Sequence, residues 1–147
     1  MNTIAIQIEE SQDAMEVPYR AVRISVDGND FLEMLRAHEM PYAQREGHSN
    51  IAGGYAWPYA STSTRDAFLG IDADENNRVE LLACQCGSPG CWPLLVQIDV
   101  GPSEVVWSSF EQPHRGEDSA AGHWHYNEFG PFVFERSQYE AAVAGIA

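Results

Sequence analysis

The chain has 147 residues with 22 Asp and Glu against eight basic residues, all of them Arg, for a formal net charge of −14. The absence of Lys excludes Schiff-base catalysis and the phosphate-cradling P-loop, both of which need its ammonium group. An acidic surface with little basic character argues against direct nucleic-acid binding, which requires a cationic face, and fits a basic protein partner better. With 44% hydrophobic residues, six Phe, six Tyr and four Trp, the chain is expected to fold alone as one domain, residues 1–147, with no interior segment composed like a linker.

In chain order, Thr3 to Ile8 alternates apolar and polar residues, with Ile4, Ile6 and Ile8 on one side, and predicts a half-buried strand. Arg20 to Val26 repeats the pattern. Asp27-Gly28-Asn29-Asp30 breaks that strand and offers Asn29 or Asp30 as N-cap for a helix from Phe31 to His38, with Pro41 ending or restarting it. His48 to Tyr59 combines paired glycines with Tyr55, Trp57 and Tyr59 and reads as a packed irregular loop able to line a pocket. Ser63 to Asp66 resembles a cap for a short helix through Leu69, closed by Gly70.

Val79–Cys86, Cys91–Val100 and Glu104–Phe110 are rich in β-branched and aromatic residues and are separated by GSPG and GPS turns, which predicts an antiparallel meander. An aromatic loop follows the polar stretch from Glu111 to Gly122, then a short strand at Phe132–Phe134. Ser137-Gln138-Tyr139-Glu140 has the form of a capping box opening a C-terminal helix. The class is α+β: a mostly antiparallel sheet with a central meander, helices packed on one face, and a C-terminal helix.

The sharpest chemical signal is Cys84-Gln-Cys86-Gly-Ser-Pro-Gly-Cys91-Trp-Pro. Cys84 and Cys86 share a side of an extended strand, and the Gly87–Gly90 turn returns Cys91 beside them. Three thiolates and one imidazole form a tetrahedral set suited to structural zinc, with His114, His123 and His125 as candidates for the remaining position. The same residues also fit buried thiols, or a Cys86–Cys91 disulfide across the hairpin mouth. A thiol-redox role ranks below these, because the dithiol C-x-x-C spacing is absent. His123-Trp124-His125 places two imidazoles on one side when extended, as a metal or proton-transfer site requires.

Asp72 to Asn76 begins like a calcium loop but has Asn77 where the sharp-turn Gly belongs and Ala83 where the bidentate Glu belongs, so it reads as a solvated acidic turn. No nucleophile-elbow or dinucleotide fingerprint is present, and no catalytic residues are assigned. A non-enzymatic protein is therefore favoured over a small Cys/His-dependent enzyme.

Trp57, Tyr59, Trp124 and Tyr126 fall in loops and are candidate partner contacts, since such rings dominate binding hot spots, whereas Trp92 and Trp107 fall in predicted strands. Together with the charge, they point to an acidic binding protein, of the immunity or inhibitor type, for a basic partner. A zinc-stabilised domain is the alternative and is compatible with it. The N-terminus has neither the basic region nor the apolar core of a signal peptide, which predicts a cytoplasmic protein.

From Glu80 to Tyr139, about two fifths of the chain, the segments LLACQCGSPGCWPLLVQI, VVWSSFEQPHR and GPFVFERSQYE are similar to a group of small acidic bacterial proteins with the C-x-C-G-x-x-G-C-W-P turn. The resemblance implies a bacterial cytosolic protein and carries no activity.

Overall fold

The computed structural model describes residues 1–86, 90–119 and 122–147. Strands β1 (Ile4–Gln12) and β2 (Pro18–Val26) form a long antiparallel hairpin running from Ile4 opposite Val26 to Gln12 opposite Pro18. Its tip is an Asx turn, where Asp13 Oδ1 accepts hydrogen bonds from the amides of Met15 (2.8 Å) and Val17 (3.0 Å). Val22, Ile24 and Val26 are buried, as their alternation requires.

Asp27 and Gly28, both with positive φ (54° and 81°), make a two-residue hairpin turn into β3 (Asn29–Asp30). Asp30 then caps α1 (Phe31–Arg45), its side chain accepting from the Glu33 amide. The predicted boundary at Pro41 is corrected, because α1 continues through it for a further turn. Pro41 is exposed, and the stripe Phe31, Leu35, Glu39, Ala43 remains buried along the whole helix, so packing outweighs the lost backbone hydrogen bond.

The predicted loop 48–59 holds a one-turn 3-10 helix (Ser49–Ile51) and a two-residue strand, β4 (Tyr55–Ala56). Ser61, earlier in the chain than predicted, caps α2 (Thr62–Phe68) by accepting from the Thr64 amide. Gly70 closes that helix with φ +72, and a Cβ there would meet the Ile98 carbonyl oxygen at 2.8 Å.

The meander comprises β5 (Val79–Cys84), β6 (Leu94–Val100) and β7 (Glu104–Glu111), and continues into β8 (Phe132–Glu135). The strands order β4-β5-β6-β7-β8, all antiparallel, and the N-terminal hairpin with β3 makes a second sheet. Isolated bridges tie the two together: Asn2 pairs with Phe134 in β8, and Ala21 of β2 pairs with Tyr59 just beyond β4. One hydrophobic core draws on both sheets and all three helices.

The final helix, α3 (Arg136–Val143), begins after Glu135, not at the capping box read from Ser137. Gln138 instead docks the helix on β1, its side chain donating to the Ile4 carbonyl (2.6 Å) and accepting from the Ile4 amide (3.2 Å). Trp107 is fully buried as expected, and its indole donates to the Tyr139 hydroxyl at 3.0 Å, which in turn donates to the Phe68 carbonyl.

Candidate metal centre and the adjoining cleft

The meander brings the cysteines together, though only Cys84 does so as a strand residue. β5 ends at Cys84 and β6 begins only at Leu94. Cys86 and Cys91 thus lie in the connecting loop, whose residues 87–89, most of the expected turn, fall outside the described part. Cys84 is anchored by pairing opposite Tyr55 of β4 and is half-buried, while Cys86 and Cys91 are exposed.

The three Sγ atoms lie within 4.8 Å of one another. Thiolates around a tetrahedral zinc, with Zn–S near 2.3 Å, sit about 3.8 Å apart, so little movement would close the set. These three cysteines can therefore hold a metal ion. Hydrogen bonds that the neutral Cys91 thiol donates to Cys86 and Cys84 push it up to about 11, with partial desolvation by the neighbouring groups and the like charges of the other two sulfurs adding to the shift. A cation placed among them would remove that repulsion.

Among the described residues, no His, Asp or Glu joins the three sulfurs in this group, and the residues outside the description are Gly, Ser, Pro and Ala. His114 is beside the loop: its ring stacks on Trp92 (5.9 Å between centroids, 7° between planes), and its Nε2 lies 2.9 Å from the Gly90 carbonyl that precedes Cys91. His123 and His125 pack against each other (centroids 4.1 Å apart) and are not part of the cysteine group.

Trp92, predicted to lie within a strand, instead precedes β6 and is half-buried. The Arg115 guanidinium sits over its ring at 5.0 Å and pairs with Glu46 (3.0 Å), the residue that ends α1. Glu46 also accepts from the Trp124 indole. This ion pair, with the Glu46 side chain only 5% exposed, fastens the base of the loop to the helix.

On the other side of Cys84 lies a cleft of about 420 Å³, lined by aromatic residues Tyr19, Tyr55, Trp57 and Tyr59 together with Asp13 and Gln85 among others. Tyr19 and Tyr59 face each other at 4.4 Å between centroids, and the Tyr19 hydroxyl donates to the Trp57 carbonyl (3.0 Å). Burial raises the Tyr19 pKa. The loop expected to line a pocket does so.

Two of the four candidate partner residues are corrected. Trp124 and Tyr126 are 2% and 7% exposed and belong to the core, because the aromatic loop folds back over α1. Tyr59, at 47%, is exposed, and Trp57 is half-buried.

Sequence reasoning missed the buried carboxylate of Glu39, which is fully inaccessible. It accepts from the Gly53 amide (2.8 Å) and from the hydroxyls of Tyr55 (2.7 Å) and Tyr126. Gln112, also buried, donates to the Tyr55 oxygen (3.1 Å) and the Pro93 carbonyl (3.0 Å). Desolvation raises the Glu39 pKa despite these donors, and burial likewise raises both tyrosines. The available signal was spacing: Glu39 falls four residues from both Leu35 and Ala43, on the apolar stripe of α1.

Comparison of the chain with protein families, curated proteins and solved structures returns no match. Among the described residues, no helix is long and apolar enough to cross a membrane.

Proposed function

We propose that this chain is a non-enzymatic binding protein for a basic partner, of the immunity or inhibitor type, whose cysteine loop is held by a zinc ion on Cys84, Cys86, Cys91 and His114. The observation that carries the metal reading is the convergence of three Sγ atoms within 4.8 Å. Three sulfurs with an imidazole form a closed structural set that leaves no position for catalysis. His114 is the candidate among the three histidines because its Nε2 already contacts the backbone beside Cys91. The binding reading is supported by the charge of −14, which would speed association with a cationic protein.

Native mass spectrometry of protein purified with added zinc tests the metal. One zinc per chain, lost on denaturation and absent from Cys86→Ser, is expected. His114→Ala should weaken zinc binding by at least about tenfold. A metal-free native mass, with Cys86→Ser and parent equally stable with and without chelator, would overturn it.

A further inference from the structure

The cleft beside Cys84 has a lining of unusual chemistry. Three of its aromatic residues come from separate segments, Tyr19 from β2 and Trp57 and Tyr59 from the stretch just after β4, and Asp13 is the sole charged residue among the described residues that line it. No Arg contributes, although Arg20 neighbours Tyr19 in sequence. Elsewhere the arginines are largely committed: Arg23, Arg36, Arg78, Arg115 and Arg136 each pair with a carboxylate. The cleft therefore combines π-faces with one carboxylate inside a strongly negative field.

An anionic ligand would meet repulsion there and no partner charge. A planar, weakly hydrated cation would meet favourable ring faces and a carboxylate, and the guanidinium group is the side chain that stacks and hydrogen-bonds in this manner. A volume of about 420 Å³ suits one long side chain with part of its backbone. Tyr59 is exposed at the mouth, with its backbone fixed by the bridge to Ala21, so an arriving side chain meets a positioned ring.

We infer that this cleft receives an arginine side chain projecting from the basic protein partner. The inference rests on the reading of the chain as a binder of basic proteins and adds the place and the residue type. It does not depend on zinc.

The test is an NMR titration of isotope-labelled full-length protein with a short arginine-rich peptide, its lysine counterpart and its citrulline counterpart, which is isosteric with arginine but neutral. The arginine peptide should shift the Trp57 indole N–H, assigned with Trp57→Phe, and bind at least about fivefold more tightly than the lysine peptide. Citrulline should abolish binding. Tyr59→Ala, an exposed side chain, should weaken binding about tenfold. Asp13→Asn, which keeps the acceptor for the hairpin turn, should weaken it and reduce its salt dependence.

If the arginine and lysine peptides bind equally, with Tyr59→Ala unchanged and the Trp57 signal unmoved, the cleft assignment fails while the basic-partner reading stands. If the citrulline peptide binds as well as the arginine peptide, the cleft takes apolar segments and the cationic assignment fails. If no peptide binds even at low salt, both readings fall.

Discussion

Glu39 shows how one residue joins packing, chemistry and pH in this protein. Its carboxyl accepts three hydrogen bonds, so Glu39→Ala would strand the Gly53 amide and two tyrosine hydroxyls. Leaving those groups unsatisfied should cost about 3 kcal/mol in urea denaturation. Burial raises its pKa above the ordinary 4.5, so the folded state holds the proton more tightly than the unfolded chain does. The stabilisation from that proton is complete below the ordinary value and is lost as pH rises through the folded pKa. Parent protein should therefore lose stability relative to Glu39→Gln as pH is raised from about 4 to about 8. A constant difference across that range would mean that the carboxyl titrates alike in both states.

At the scale of elements, local signals and packing disagreed at the ends. α1 overran Pro41 because Ala43 and Glu39 lie on its buried stripe, a fact about the neighbouring layer that the local pattern does not contain. Pro41 is exposed and provides no N–H for the Ala37 carbonyl, so Pro41→Ala should raise stability by about 1 kcal/mol, read from the denaturation midpoint. A lower midpoint would show that the proline's restriction of the unfolded chain outweighs the restored bond. The meander strands were legible from β-branched runs, whereas their ends were not: β5 stops at Cys84 and β6 starts at Leu94. The cysteines thus converge through the loop and not through strand alternation. Gln138 likewise serves α3 by gripping the β1 backbone, which no capping pattern encodes.

Over the whole molecule, 22 acidic residues face eight arginines, and most arginines are already neutralised by local carboxylates. Self-repulsion should dominate at low salt. Raising ionic strength from about 0.01 M to about 0.15 M shortens the screening length from about 30 Å to about 8 Å and should raise the thermal midpoint. A falling midpoint would show that pairs such as Glu46–Arg115 contribute more than the repulsion removes. The same field bears on the proposed partner: its association should slow as salt increases, with the largest change in the on-rate.

The sequence by itself determined the α+β class, the hairpin and meander, the buried alternation of β2, and the crowding of three cysteines into one turn. These follow from periodicity and spacing, which are local quantities. Tertiary structure alone decided which aromatic rings face solvent, turning Trp124 and Tyr126 inward while leaving Tyr59 outside. It also built the Glu39 network from residues as far apart as Tyr55 and Tyr126, and it placed His114, apart from His123 and His125, beside the cysteine loop. Burial and convergence depend on what the rest of the chain packs against each segment, and that information is non-local.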